Sequence, residues 1–307
     1  MLLFVWLLSR LDWLALWDGI QQLTIGILFA AECCFLGGQA LNTVRWWLLL
    51  NAQAVRASPW DLFKLVMAGA FASNFLPSTV GGDLVRVAGV NQYTQREGLS
   101  LGSVIVDRLV NITTTLMMFP FVVVIFGDRI LQVFQGDDVT ALNSIAATGL
   151  WTRFRTRLQA GMEDAVDACR IWLHSPRELL YAMLVSTAST LIVYLGVYLL
   201  AVHLGIPIGF WDVLAISVTT YVITLLPLSI NGYGLREVAV TVLYVELGAT
   251  LEQASLLAIL LRVLRLMETL PGALWISSFL PSLQDRRSRF AGEDLDEVDG
   301  DGGEERL

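Results

Sequence analysis

Five arginines stand in segments that are otherwise rich in apolar residues: Arg86, Arg108, Arg236, Arg262 and Arg265. A guanidinium is planar, permanently charged and able to grip a phosphate through two parallel hydrogen bonds. Surplus positive charge among these five residues therefore points to a phosphate-bearing ligand. Three carboxylates lie close by in sequence, Asp83, Asp107 and Glu237. They can orient the arginines, engage a cationic headgroup, or carry a proton or ion. A purely structural alternative pairs Asp83 with Arg86 and Glu268 with Arg265, each three residues apart on a helix, and sends Asp107 across to an arginine of the other half of the chain. Ser103, Asp107, Asn111 and Thr114 share one helical face by their spacing, and Arg262, Arg265 and Thr269 form a similar stripe with Glu268 beside it.

Other chemistries find little support. Gly98-Leu-Ser100-Leu-Gly102 matches the nucleophile-elbow pattern, but that pattern needs a preceding strand, and here it opens an apolar helix. No paired histidines, phosphate-binding loop or dinucleotide fingerprint occurs, so no metal, cofactor or catalytic residue is expected. Cys33 and Cys34 are adjacent and Cys169 is distant, a spacing that suits neither a metal nor a disulfide and marks them as packing residues. The sequon Asn111-Ile-Thr113 falls inside an apolar run. His174 and His203 read as interfacial residues.

The elements that carry these residues must be transmembrane. The chain has 307 residues, 55% hydrophobic and 16% charged, with mean hydropathy +0.64. The runs Leu65 to Gly82, Leu109 to Gly127, Leu179 to Val202 and Val213 to Leu235 each approach or exceed the ~20 residues that cross a bilayer as a helix. An ionisable residue at the centre of such a span costs about 2.5–3.5 kcal/mol on insertion scales, so it pairs or serves a function. Of the net charge of -8, residues 293–307 hold eight acids and one arginine, which leaves 20 acids against 19 bases elsewhere. Lys64 is the one lysine, which excludes a lysine-rich nucleic-acid arm.

Composition divides the chain into five stretches. Residues 1–22, with Trp6, Trp13 and Trp17, read as a shortened first span or an interfacial segment. Residues 23–126 form a first membrane repeat, 127–178 a polar loop and amphipathic linker helix, 179–280 a second repeat, and 281–307 an acidic tail without fixed structure. Within the first repeat, Thr24 to Leu50 carries a polar stripe of Glu32, Gln39 and Asn42, which suits interhelical hydrogen bonds. Trp46 and Trp47 close it like an interfacial belt. Ser58 to Leu76 stops at Pro77 and Gly81-Gly82, and Leu99 to Phe126 is the next span.

A shift of 150 residues superposes Pro77 on Pro227, Gly82 on Gly232, Arg86 on Arg236 and Gly98 on Gly248. Upstream, Trp60-Asp61 answers Trp211-Asp212. The fold predicted is an all-α polytopic membrane protein of two related repeats, each with a Pro/Gly-broken segment, re-entrant or discontinuous, and about 6–8 membrane segments in all. Irregular backbone at membrane depth is tolerated only where protein or a water-filled cavity covers it, so both breaks face an interior. The positive-inside rule assigns Arg45, Arg56, the Arg153 to Arg157 cluster and Arg286 to Arg289 to the cytoplasm, with the C-terminal tail. Whether the repeats are inverted or parallel depends on one crossing between Phe126 and Arg153.

Arg45-Trp46-Trp47, Asn74-Phe-Leu-Pro77-Ser-Thr-Val-Gly81-Gly82-Asp83-Leu-Val-Arg86, Asp107-Arg108-Leu and Leu226-Pro227-Leu-Ser229-Ile-Asn231-Gly232-Tyr-Gly234-Leu-Arg236-Glu237 resemble the lysylphosphatidylglycerol synthase transmembrane family, also described as flippase-like. The similarity runs from about Thr24 to Leu280. It implies a multi-pass protein of a prokaryotic plasma membrane whose membrane region moves lipid between leaflets. The aminoacyl-transferase domain of the synthases would follow the membrane region. Only the 27 residues from Pro281 remain here, so synthase activity is expected to be absent and a separate lipid-modifying enzyme is a possible partner.

The expected function is therefore transbilayer movement or binding of an anionic phospholipid or lipid-linked headgroup in a central polar cavity. Asn74, Asp83, Arg86, Asp107, Arg108, Asn231, Arg236, Glu237, Arg262 and Arg265 are the candidate substrate-binding residues. The alternative is a membrane-embedded transferase acting on a lipid carrier, with Asp83, Asp107 or Glu237 as its base.

Overall fold

A computed structural model describes Gln21 and residues 23–75, 80–135, 172, 175–225 and 234–276, and among these it contains helices and turns and no strand. In chain order the helices are α1 (Ile25–Asn51), α2 (Pro59–Phe75), α3 (Val80–Thr94), α4 (Glu97–Leu116), α5 (Phe119–Gln135), α6 (Pro176–His203), α7 (Phe210–Leu225), α8 (Leu235–Glu246) and α9 (Leu251–Thr269). A short helical turn over 271–276 follows.

Among the described residues, three helical stretches are long and apolar enough to cross a membrane: Ile25–Asn51, Glu97–Gly127 and Pro176–His203. The second is not one straight helix. It turns at Met117 and Met118 and resumes as α5, where the amide of Phe121 bonds the Met118 carbonyl. Pro120 sits in the first turn of α5, where its missing N–H costs nothing. The third begins at Ser175-Pro176, a start signal three residues before the apolar run.

α1 and α6 pack against each other along their length through small residues, as membrane helices do when no hydrophobic force drives them together. A Cβ on Gly38 would run into Val193, and one on Gly196 would lie 2.9 Å from the Cβ of Cys34. The Ser189 hydroxyl then donates to the Gly38 carbonyl at 2.9 Å. Among the described residues, three apolar clusters share α1, the smallest through Leu49, which packs with Val106, Val110 and Trp172. The first half of α1, with Ala31 and Phe35, packs with α5 to α9, and its second half, with Trp46 and Leu50, packs with α2, α3 and Val104.

α2 and α3 are the two arms either side of the Pro77 break, and they touch backbone to backbone. A Cβ on Gly82 would run into the Gly69 carbonyl and the Ser73 hydroxyl. Gly82→Ala is expected to lower the thermal midpoint by the equivalent of about 1–3 kcal/mol of overpacking. Gly98→Ala, at a helix position with nothing within 4 Å, should leave the midpoint unchanged or raise it. Equal midpoints for the two variants would refute close α2–α3 packing.

The second half of the chain runs in the same order: α7 ends before Pro227, α8 begins at Leu235, and α9 follows. Gly234, with φ of +84°, forms the turn into α8, a conformation that suits glycine. Residues 1–20, most of the 127–178 linker, Cys169, His174 and the acidic tail lie outside the described residues, as does Asn231.

Candidate functional site

Asp107 is the centre of one charge cluster. It is 2% exposed, and its two oxygens accept from different helices: Oδ1 from Arg45 Nε at 2.7 Å and Oδ2 from Arg86 Nη2 at 2.8 Å. Arg45 Nη1 also donates to Asn111 Oδ1 at 3.1 Å and to the Ser186 hydroxyl at 2.9 Å. The guanidinium of Arg86 lies over the Trp46 ring, 4.1 Å from its centre. Asp83, in the first turn of α3, contacts Arg108 closely and stands 4.0 Å from Arg86.

Three expectations are corrected by this cluster. Arg45 is not a solvent-exposed flanking charge: it is 4% exposed and buried against Asp107. Trp46 is fully buried beneath Arg86 instead of lying in an interfacial belt. Asp107 pairs within its own half, because α1 and α3 both pack on α4 and bring Arg45 and Arg86 to it before any arginine of α8 or α9 can reach. The stripe on α4 does face inward as its spacing requires. Ser103 accepts from Trp46 Nε1 at 3.3 Å, and Thr114 bonds Ser186 at 2.8 Å.

A second cluster gathers around α8 and α9. Glu237 caps α8 by accepting the Gly234 amide at 2.7 Å and stands 3.7 Å from Arg262. Arg265 stands 3.4 Å from Glu268, the three-apart pair expected, and its guanidinium centre is 5.8 Å from the middle of the Phe35 ring. Among the described residues, Arg236 makes no ion pair within 4 Å.

Two polar cavities among the described residues lie beside these clusters. The smaller, about 170 Å³, is walled by Gln39, Asn42, Arg45, Ser73, Asp83, Arg86 and Asp107 among others. The larger, about 330 Å³, is walled by residues of α1, α4, α6, α7, α8 and α9, including Asn111, Thr224, Arg236 and Arg265. Asn42 lines both, and accepts from the Ser189 hydroxyl at 3.0 Å. No carboxylate occurs on the described wall of the larger cavity, whereas hydroxyls are frequent: Thr115, Ser189, Thr190, Ser217, Thr220 and Tyr221. The hydroxyls of Thr220 and Tyr244, on this wall, are buried and have no hydrogen-bond partner among the described residues.

The candidate residues thus divide. Arg236 and Arg265 face the larger cavity; Asp83, Arg86 and Asp107 face the smaller one; Arg108 lies outside both, and Arg262 lies behind Glu237. Asn74 donates to the Thr269 hydroxyl at 2.8 Å and so joins α2 to α9. Arg45 and Ser186 belong to the site although the sequence did not single them out as ligands. Gln39, Asn42 and Arg45 at steps of three continue the polar stripe of α1, and that continuation is the signal for Arg45. Among the described residues, no group of three His, Cys, Asp or Glu is placed to hold a metal.

Neither a curated protein nor a solved structure matches the chain. A family model does, over residues 1–272, and its description is the lysylphosphatidylglycerol synthase TM region. The match ends just past α9, and it takes in both charge clusters, both breaks and all three long apolar stretches. The chain is a multi-pass membrane protein and belongs to the lysylphosphatidylglycerol synthase TM region family.

Proposed function

We propose that the larger cavity binds the headgroup of an anionic lipid, and that the protein moves this lipid between the leaflets of a prokaryotic plasma membrane. The observation that carries this reading is Arg236, a guanidinium without an ion-pair partner among the described residues, on a cavity wall whose described residues include no carboxylate. A charge left unpaired inside a bundle is costly, and a bound phosphate would satisfy it. Arg265 is the second cation, and the hydroxyls of Thr220 and Tyr244 are free donors for phosphate or glycerol oxygens. Asp83, Arg86, Asp107 and Arg108 serve the site indirectly, by tying α1, α3 and α4 into one body that bounds the cavity.

The two halves act as related units around this site. Each runs from a Trp-Asp helix start through a Pro/Gly-containing stretch of sequence to a short helix and a longer one. The transferase alternative lacks a His, Cys or carboxylate base on the described wall of the larger cavity.

Two arginines and no carboxylate also argue against a headgroup with added positive charge. Phosphatidylglycerol is expected to raise the thermal midpoint of the purified protein, because a ligand that binds only the folded state stabilises it by mass action. Lysylphosphatidylglycerol and phosphatidylcholine, at equal concentration, should raise it less. A larger rise with lysylphosphatidylglycerol would overturn the anionic assignment.

A further inference from the structure

We propose that the headgroup taken by the larger cavity carries a cyclic neutral polyol, a hexose or an inositol ring, next to its phosphate. This assignment deepens the function proposed above and rests on it. Arg236 and Arg265 are the cations on the wall that suit the phosphate. The cavity, about 330 Å³, has room for roughly eleven waters at about 30 Å³ each, so a phosphate alone leaves much of it unfilled. Whatever fills the remainder must suit the oxygen atoms of the wall.

Four of the wall hydroxyls have already committed their protons. Thr115 on α4 donates to the Asn111 carbonyl at 2.9 Å, Thr190 on α6 to the Ser186 carbonyl at 2.9 Å, and Thr224 on α7 to the Tyr221 carbonyl at 2.8 Å. Ser189, also on α6, donates to the Gly38 carbonyl or to Asn42 Oδ1. A hydroxyl has one proton and two lone pairs, so these four are left to accept. A phosphodiester is itself an acceptor and has nothing to donate to them. An ammonium has protons, but here it would sit beside two guanidiniums on a described wall without a carboxylate. Neutral donors remain, and a polyol supplies several of them at once.

Two more hydroxyls on the wall are still uncommitted. Thr220 on α7 and Tyr244 on α8 are 5% and 1% exposed, and neither hydroxyl has a partner among the described residues. Elsewhere on α7, Thr219 bonds the Ala215 carbonyl at 2.8 Å and Thr224 bonds that of Tyr221, so Thr220 is a local exception. A buried hydroxyl without a partner is costly. A polyol O–H both donates and accepts, and so can satisfy either one. The six hydroxyls stand on α4, α6, α7 and α8, around the cavity and not on one side of it. The pair of hydroxyls on a glycerol headgroup cannot serve them all, whereas a ring presents its hydroxyls in several directions from one rigid frame.

Lipid titration into the purified full chain tests this assignment. Phosphatidylinositol and phosphatidylglucose carry a ring, phosphatidylglycerol a short polyol and phosphatidylmethanol none, and all four are phosphodiesters with the same charge. Wild type should bind one of the ring lipids tightest and phosphatidylmethanol weakest, and the tighter ring lipid tells inositol from hexose. Thr220→Val and Tyr244→Phe keep the side-chain shape and remove the uncommitted hydroxyl. Each should cut the preference for the ring lipid over phosphatidylmethanol by about 2–10-fold, the worth of one hydrogen bond. The thermal midpoint without added lipid should hold or rise in both, because a buried orphan is gone.

Equal affinities for all four lipids would overturn the polyol and leave the anionic reading in place. Phosphatidylglycerol binding as tightly as both ring lipids would overturn the ring. An unchanged preference in both variants, or a lowered midpoint in both, would show that these hydroxyls serve the fold and not the headgroup, and would overturn the assignment. If folded wild type binds none of the four, the anionic-headgroup reading falls and the polyol falls with it.

Discussion

Asp107→Ala should destabilise the protein more than any other single substitution among its charged residues. The change strips the carboxylate from two arginines at once, Arg45 at 2.7 Å and Arg86 at 2.8 Å, both of which remain inside the bundle. Removing one partner of a buried ion pair costs about 3–5 kcal/mol, because the orphaned charge stays buried. Arg45 keeps only the neutral acceptors Asn111 and Ser186, and Arg86 keeps the Trp46 face and a 4.0 Å contact with Asp83. Asp107→Asn retains an acceptor and should fall between wild type and alanine. Asp61→Ala is the control: its partner Lys64 is 2.9 Å away, but both side chains are partly solvated, and such pairs contribute about 0–1 kcal/mol. Thermal midpoints in one detergent or nanodisc would rank the three variants. If Asp107→Ala melts with Asp61→Ala, the Arg45–Asp107–Arg86 cluster is not what ties α1, α3 and α4 together.

Arg236→Ala should leave the fold largely intact and weaken anionic-lipid binding by roughly 10–100-fold, since hydrogen bonds to charged groups are worth about 1.5–3 kcal/mol each. Stability should hold because no carboxylate among the described residues depends on Arg236 as its ion-pair partner. Arg236→Lys restores the charge without the planar fork, so it should recover part of the affinity and not all of it. Arg108→Ala separates a general loss of positive charge from a local one. Arg108 is 47% exposed, contacts Asp83 and lies away from the cavity wall, so affinity should change by no more than about twofold, an effect well under 1 kcal/mol. Titration of phosphatidylglycerol into the purified variants gives the ratios. Equal losses in Arg236→Ala and Arg108→Ala would show that the lipid responds to overall charge and not to the cavity.

Much of this arrangement was legible in the sequence, for physical reasons that differ from residue to residue. Helix positions followed from uninterrupted apolar runs and from breakers: Ser58-Pro59 starts α2, whereas the start of α6 at Pro176 lies inside the stretch assigned to the linker helix. The inward face of α4 followed from the spacing of Ser103, Asp107, Asn111 and Thr114. Local pairs such as Arg265 with Glu268 were legible because a helix brings residues three apart together. Partners from different helices were not. Arg45 sits near the end of an apolar run, where a flanking cytoplasmic arginine and a buried one look alike, and only the packing of α1 on α4 distinguishes them. The separation into two cavities was illegible for the same reason. It depends on α1 passing between the halves, so that Asn42 borders both spaces while Arg86 and Arg236 each reach only one.

The most direct test of lipid movement through the larger cavity is the leaflet distribution of labelled phosphatidylglycerol in reconstituted liposomes, compared between wild type and Arg236→Ala at equal protein density. Wild type should move the label across the bilayer, and Arg236→Ala, still folded by its thermal midpoint, should slow that movement at least as much as it weakens binding. Folded wild type that leaves the label in its starting leaflet, or an Arg236→Ala variant that moves it as fast as wild type, would contradict a headgroup path through this cavity.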